Sequence, residues 1–226
     1  LLQEVRDEAA MQALATSIGR GHQVVVVSRF MNGDKLGQQQ QAILAKFPAK
    51  AAYWRPWTTR QGISPTRGFR FAAFPQPDGP PVAVYSLHLK SNSIRPGHPE
   101  PKKAEMLNRV QRELAALQLV EHLSAVAKEP DLAPVSAIIG GDFNTDPHQP
   151  RFREERTITA LEALGFASPL RHLPLGDRTT LPAEGRYEAA TFDYLFLFKA
   201  EAAGKPVIVP TEISDHRPVT VTVRLP

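Results

Sequence analysis

Residues 135–147, VSAIIGGDFNTDP, join a short apolar run to a cluster of polar side chains. The run is short, contains β-branched residues and ends in two glycines, so it predicts a buried strand. Asp142 and Asn144 stand just past this strand, where loops carry functional groups over a rigid scaffold. The same residue types also favour an ordinary turn. This stretch alone therefore leaves a turn and a functional site open.

Outward from this stretch, apolar patterning predicts strands alternating with helices. Strands are predicted at 24–27, 67–74, 82–89, 192–198, 206–209 and 219–223. Helices are predicted at 5–18, 36–47, 102–127 and 157–164, the third with an apolar stripe from Leu107 to Leu123 that includes Leu117. Because hairpins and helical crossovers are mixed, we expect one α/β or α+β domain over residues 1–226, with two sheets and outer helices.

Composition excludes several classes of protein. The chain has 226 residues, 42% of them hydrophobic and 22% charged, which rules out a disordered or fibrous chain. It contains no cysteine, so disulfides, thiolate metal sites and a cysteine nucleophile are excluded. The net charge of +4 allows an anionic partner without requiring one.

Three further segments place polar groups near the ends of apolar runs: Glu4 in Gln3-Glu4-Val5, His88 in a strand that ends His-Leu-Lys, and Asp215-His216 before the last strand. Each has an ordinary explanation. Glu4 fits the first turn of a helix, His88 fits a hydrogen-bonded core histidine, and Asp215-His216 fits an exposed turn. The other five histidines are predicted to be surface or loop residues: His22, His98, His122, His148 and His172.

The four segments together predict a hard-metal hydrolytic site. Several carboxylates and an amide suit Mg²⁺ or Mn²⁺, which prefer oxygen ligands. Two strand-end imidazoles beside such a metal suit general acid–base chemistry. Hydrolysis of a phosphoester needs both, because charge on the phosphoryl oxygens must be neutralised and protons must be moved.

These motifs resemble the endonuclease/exonuclease/phosphatase superfamily, the DNase I-like fold. The resembling motifs run in the family's order from Gln3-Glu4 through the strand ending in His88, Gly-Asp-Phe-Asn and Asp193-Tyr194 to Ser-Asp-His at 214–216. The resemblance implies a four-layer αββα sandwich, with two mixed β-sheets packed face to face between outer helices. It also implies that a first strand carrying a metal-binding Asn has been lost upstream of Leu1, which would weaken both stability and metal binding.

The resemblance implies a role for each matching residue. Mg²⁺ or Mn²⁺ would be held by Glu4, Asp215 and Asp142. Catalysis would fall to His88, Asp142, Asn144, Asp193 and His216. His216 would be the general base, neutral at rest and oriented by Asp193, and Asp142 and Asn144 would position water and the scissile phosphate. His88 would contact the phosphate or act as general acid.

Two basic residues join Asn144 as candidates for substrate binding. Lys90 follows His88, although a lone lysine is usually a solvated charge. Arg67 opens a strand beside the Trp54-Arg55-Pro56-Trp57 loop, which is either a stacking platform for bases or, the interpretation we favour, a hydrophobic cluster. Residues 67–69 offer His88 no carboxylate partner, unlike some nucleases of the family, so its role as an acid is less supported than that of His216 as a base.

The sequence thus predicts a metal-dependent phosphoester hydrolase, most simply a monomeric nuclease or phosphodiesterase acting on nucleic acid. One alternative substrate is a phospholipid or inositol-phosphate headgroup. The alternative from another class is a non-catalytic binding module that lost a metal ligand with its first strand.

Overall fold

A computed structural model describes residues 1–185 and 188–226. Its strands, in chain order, are β1 (Leu2–Val5), β2 (Gln23–Val27), β3 (Met31–Asn32), β4 (Lys35–Leu36), β5 (Gln40–Ala45), β6 (Ala51–Pro56), β7 (Gly68–Gln76), β8 (Gly79–His88), β9 (Ser136–Asp142), β10 (Asp193–Phe198), β11 (Glu201–Ala202), β12 (Val207–Ile208), β13 (Val219–Thr220) and β14 (Val223–Arg224). Its α-helices are α1 (Glu8–Ile18), α2 (Pro101–Val126) and α3 (Thr157–Ala163). None of the described helices is long and apolar enough to cross a bilayer.

The larger sheet has the strand order β10-β9-β8-β7-β6. Only β8 and β9 run parallel within it, and α2 makes the crossover between them, as a parallel pair requires. The other neighbouring strands are antiparallel. The smaller sheet has the order β1-β5-β2 and packs on one face of the larger sheet.

Hydrophobic side chains fill both faces of the larger sheet. Between the sheets, Ile43 of the smaller one meets Phe74 and Val82 of the larger one. On the opposite face, Leu119 of α2 packs into a cluster with Tyr85 and other side chains of β7 to β10. Since α1 packs against β2, the layers run helix, sheet, sheet, helix. The expected αββα sandwich of the DNase I-like type is confirmed.

The helix predicted at 36–47 is wrong, because this segment forms β4 and β5. Its glutamines favour a helix when the segment is considered alone. In the fold, β5 is the central strand of the smaller sheet, and both Gln40 and Gln41 are fully buried there. Pairing with a strand on each side outweighs the local helix propensity. Trp54 and Arg55 also lie in a strand, β6, rather than in a loop.

The predicted apolar stripe on α2 is wrong in part, although Leu123 at its end packs against the core as expected. Leu107 and Leu117 are exposed, whereas several polar residues of the helix are buried. His122, predicted to lie at the surface, is among the buried ones. Its ring nitrogens hydrogen-bond to the hydroxyls of Tyr53, at 2.9 Å, and Tyr85, at 3.0 Å. His122 therefore faces the sheet because two hydroxyl groups on the sheet satisfy its ring nitrogens.

Candidate active site

Backbone register brings three polar side chains to one edge of the larger sheet. His88, the last residue of β8, pairs with Asp142, the last residue of β9. Asp142 in turn pairs with Asp193, the first residue of β10. Because β8 and β9 are parallel while β10 runs the other way, two strand ends and one strand start meet here. The sheet itself therefore sets the spacing of these groups.

Gly141 allows β9 to approach β8 this closely. Its φ is +140°, a conformation that other residues rarely adopt. A Cβ atom on this residue would lie 2.0 Å from the carbonyl oxygen of Leu87. The glycine before the aspartate is thus needed to set Asp142 opposite His88.

Asp142 and Asn144 form a closed turn after β9. Asp142 Oδ1 accepts a hydrogen bond from the Asn144 backbone N–H at 2.8 Å, and its Oδ2 accepts one from Asn144 Nδ2 at 2.7 Å. Asn144 has a φ of 53°, which an asparagine tolerates better than most residues. Both side chains are buried, so this corner of the site is rigid. The turn predicted as the ordinary alternative is present, but it lies within a cluster of ionisable groups.

His216 and Asp193 form a hydrogen-bonded pair, with Nδ1 and Oδ2 2.7 Å apart. Thr180 ties this pair together, a connection that the sequence did not indicate. Its hydroxyl accepts from the Asp193 backbone N–H at 3.0 Å, and its carbonyl accepts from the Arg217 N–H at 2.7 Å. The Thr180 segment therefore anchors both sides of the pair from outside the sheet.

The charge state of His216 depends on the carboxylates around it. Burial alone would lower the pKa of this imidazole, but the hydrogen bond and charge of Asp193, then the charges of Asp142 and Asp215, raise its pKa to about 9. These carboxylates favour the protonated form of His216, so its neutral resting state stays a prediction that depends on a cation offsetting part of their charge. Burial and the neighbouring Asp193 raise the pKa of the Asp142 carboxyl.

His88 has the opposite character. It is 2% exposed, and its Nε2 lies 3.3 Å from Asp142 Oδ2 and 3.8 Å from Glu4 Oε1. Burial, followed by the charges of Arg67, His216 and Arg70, lowers its pKa to about 2. A neutral ring can donate one N–H, but it is a poor source of a proton at neutral pH. This favours contact with a phosphoryl oxygen over general acid catalysis.

The two remaining predicted metal ligands lie on exposed segments. The Glu4 side chain is 58% exposed, and its Oε1 accepts from Gln39 Nε2 at 2.8 Å. Gln39, which the sequence did not single out, accepts in turn from the Arg67 guanidinium. Asp215 is exposed at the rim, beside His216. Glu4 therefore lies in the irregular part of β1, with a φ of 54°, and a hydrogen bond from Gln39 orients its carboxylate.

The two predicted basic residues flank the end of β8. Arg67 is half-buried and donates from Nη1 to the carbonyls of His88, at 3.4 Å, and Leu89, at 3.1 Å. Lys90 is half-buried, and its side-chain amine makes no hydrogen bond or ion pair with any described residue. Burial, followed by the charges of Arg67 and Arg112, lowers the pKa of its amine.

A cavity of 410 Å³ opens beside these groups. Its polar side is formed by Asp142, Asp193 and His216. Apolar side chains, including Leu2 and Ile213, form much of the rest. The structure thus gathers the predicted catalytic residues at one edge of the larger sheet, with Asp215 at the rim and Arg67 and Lys90 next to the end of β8.

The donor set suits a hard cation. Asp142, Asp193 and His216 each offer a ligand atom within 4.8 Å of the others. Glu4 and Asp142 share His88 Nε2 as a neighbour, which brings a further carboxylate to the same place. Burial, followed by the charge of Asp193, raises the pKa of Asp142, and a divalent cation would favour the ionised form of these carboxylates.

Solved structures of low sequence identity share this fold. One is an endonuclease/exonuclease/phosphatase from Beutenbergia cavernae, at 16% identity and a TM-score of 0.65; the match covers 96% of this chain and 57% of that protein. A second is ANGEL2, a 2′,3′-cyclic phosphatase in complex with adenosine-2′,3′-vanadate, at 17% identity, a TM-score of 0.68 and coverage of 99% and 80%. A third is D. rerio TDP2 complexed with a single-strand DNA product, at 16% identity and a TM-score of 0.58. That match covers 98% of this chain and 84% of TDP2.

No curated protein matches the sequence. The sequence model of the endonuclease/exonuclease/phosphatase family, however, matches residues 1–216, which include every group of the site described above. The chain therefore belongs to the endonuclease/exonuclease/phosphatase family.

Proposed function

We propose that this chain is a divalent-metal-dependent phosphodiesterase whose substrate is a nucleic acid. The observation that carries the proposal is the Asp193–His216 pair, with its 2.7 Å hydrogen bond, set beside the buried carboxylate of Asp142. A carboxylate that fixes one ring nitrogen leaves the other free to exchange a proton with water. The likeness to TDP2 with its DNA product and to ANGEL2 with an adenosine vanadate supports a nucleotide-containing substrate.

Glu4, Asp142 and Asp215 are the residues proposed to hold Mg²⁺ or Mn²⁺. When bound, such an ion neutralises phosphoryl oxygens and lowers the pKa of a coordinated water. Once Asp142 and Asp215 share their charge with a cation, they raise the pKa of His216 less. The pKa of His216 would then fall toward the range of a general base, while the hydrogen bond and charge of Asp193, the larger causes of its rise, stay in place.

The chain's own residues are assigned complementary roles. His216 Nε2 takes a proton from the attacking water, while Asp193 holds Nδ1 and stabilises the imidazolium that forms. His88, neutral and buried, donates an N–H to a phosphoryl oxygen. The Asn144 amide helps to align the scissile phosphate from its fixed turn. Arg67 supplies positive charge next to these groups.

Hydrolysis of a substrate panel tests this proposal. The panel contains plasmid DNA, single-stranded RNA, sphingomyelin and inositol phosphates, each with Mg²⁺, with Mn²⁺ and with excess EDTA. We expect cleavage of a nucleic acid that needs the metal and that His216→Ala abolishes. Full hydrolysis in EDTA contradicts the metal's role. Binding without hydrolysis of any substrate supports a non-catalytic binding module instead.

A phospholipid headgroup is the second candidate substrate. Ile213 is 98% exposed at the rim of the cavity, and Leu1, also at the rim, is 39% exposed. Exposed apolar side chains beside a hydrolytic site suit contact with a lipid surface. Cleavage of sphingomyelin in vesicles, lost in Ile213→Asp, would favour this candidate over nucleic acid.

A further inference from the structure

A buried ion pair reaches the segment that follows β8. Arg112 of α2 and Glu155, just before α3, have side chains that are each 2% exposed. Arg112 Nε donates to Glu155 Oε1 at 2.8 Å, and Nη2 donates to Oε2 at 2.5 Å. The third guanidinium nitrogen, Nη1, donates to the backbone carbonyl of Lys90 at 2.9 Å. Thr157 completes the arrangement by donating its hydroxyl to Glu155 Oε1 at 2.7 Å.

Lys90 is itself a cation without a counterion among the described residues. Its amine is half-buried, and burial together with the positive charges of Arg67 and Arg112 lowers the pKa of the amine. Lys90 lies two residues after His88, which contacts Asp142 in the site. A partly buried amine with no described counterion is stabilised when an anion binds to it, and phosphate oxygens supply that charge.

The pair is better suited to fixing geometry than to adding stability. Attraction between two buried charges is offset largely by the cost of removing them from water, so apolar residues of similar size often replace such a pair without loss. A bidentate arginine–carboxylate contact, in contrast, fixes the orientation of the planar guanidinium. Here that orientation aims Nη1 at the Lys90 carbonyl.

We propose that Arg112 and Glu155 are positioning residues that hold Lys90 where its amine binds a phosphate oxygen of the substrate. This assignment rests on the proposed function of the site. Lys90 would be the group that touches substrate, and the ion pair would act through its backbone. Lys90 would thus recognise a phosphate group of the substrate, independently of the chemical group that the phosphate carries.

The chain offers a matched control on the same helix. Arg109 lies three residues before Arg112 in α2, and its Nη1 donates to Glu154 Oε2 at 2.9 Å. This second pair joins the same two segments, but Glu154 is 84% exposed, and neither residue contacts the strand ends. Removing it should change surface charge without moving Lys90.

Binding of inorganic phosphate, measured by calorimetry in EDTA, tests the proposal without relying on turnover. We expect Arg112→Met/Glu155→Leu to weaken binding about tenfold, the effect of losing one hydrogen bond to a charged group. Lys90→Ala should weaken binding by a similar factor, and the triple variant should be little worse, since the three residues act as a unit. Arg109→Met/Glu154→Leu should bind like the wild type.

The proposal is overturned if the losses of affinity in Arg112→Met/Glu155→Leu and in Lys90→Ala multiply in the triple variant. It is also overturned if Arg112→Met/Glu155→Leu binds phosphate like the wild type, or if the wild type binds no phosphate. If that variant fails to fold, Arg112→Lys takes its place with the same expected result, because lysine keeps the charge but lacks the planar fork. Hydrolysis by the wild type is assayed separately. An inactive wild type that shows the expected binding pattern rejects the proposed function and leaves the positioning role intact.

Discussion

The two sheets contribute to the site in different ways. The larger sheet supplies His88, Asp142 and Asp193, and backbone register sets their spacing. The smaller sheet supplies Glu4, whose side chain is 58% exposed and is held by a glutamine. Groups placed by a strand ladder are pre-organised, whereas an exposed carboxylate loses conformational freedom when it binds a ligand. We therefore expect chemistry to depend mainly on the larger sheet and metal affinity to depend on the smaller one.

The largest expected effect is on turnover. His216→Ala should lower kcat by about 10² to 10⁴-fold, the usual contribution of positioned proton transfer. Asp193→Asn should lose much of the same factor, because an amide presents the wrong partner to the ring. The double variant should be little worse than His216→Ala, since residues that act as a unit are not additive. Steady-state kinetics at saturating Mg²⁺ measures all three.

If Asp193→Asn keeps the full rate, or if the two losses multiply, Asp193 does not serve His216. The larger sheet would then supply a carboxylate to the site without supplying the orientation of the base. Melting temperatures of the variants near that of the wild type serve as the control for folding.

The next effect concerns the stability of the ladder itself. Gly141→Ala would place a methyl group 2.0 Å from the Leu87 carbonyl oxygen at a φ of +140°. We expect the free energy of unfolding to fall by about 3 kcal/mol, as for other strained or overpacked positions. Gly176→Ala is the matched control, because its added Cβ would have no atom of another described residue, its chain neighbours aside, within 4 Å. Urea denaturation giving the same midpoint for both variants would contradict the close approach of β8 and β9.

A smaller effect is expected on the smaller sheet. Gln39→Ala removes the hydrogen bond that orients the Glu4 carboxylate, and loss of such a second contact typically weakens metal binding by about tenfold or more. The variant should leave kcat at saturating metal close to that of the wild type. Gln38→Ala, an exposed neighbour, is the control. Mn²⁺ titration that finds equal affinity in both variants would show that Gln39 does not orient Glu4.

The smallest effect is a pH dependence on the far face of the larger sheet. Burial, followed by the charge of Arg55, lowers the pKa of His122 to about 4. An unfolded histidine titrates near 6.5, so unfolding takes up a proton between these two values. The contribution of His122 to the free energy of unfolding is therefore fully present above about pH 6.5 and is lost as the pH falls toward 4.

Urea midpoints measured from pH 7 to pH 4 should fall as the pH falls. In His122→Gln, the number of protons taken up on unfolding should fall by about one, so stability should depend less steeply on pH. The pH dependence that comes from His88 should remain. The exposed His98 provides the control His98→Gln, which should keep the wild-type dependence. A His122→Gln curve parallel to that of the wild type would mean that His122 is not buried in its neutral form.

The difference between groups placed by strands and groups placed by side-chain contacts explains which site residues the sequence could predict. Asp142, His88 and Asp193 were predictable because strand periodicity and motif order fix where strands end. Gln39 and Arg112 could not be predicted, since each acts through a contact with a residue distant in the sequence. The strand at 40–45 was mistaken for a helix for a related reason: its pairing partners, β1 and β2, decide its conformation.

Anomalous diffraction from crystals grown with Mn²⁺ tests the central claim most directly, namely that a buried carboxylate from one sheet and an exposed one from the other share a cation. We predict a manganese peak within bonding distance of both Asp142 and Glu4, with the Asp193–His216 hydrogen bond intact beside it. In Glu4→Gln crystals the peak should weaken but remain at Asp142. A manganese ion that contacts neither carboxylate, or that displaces His216 from Asp193 to bind its ring, would contradict the account.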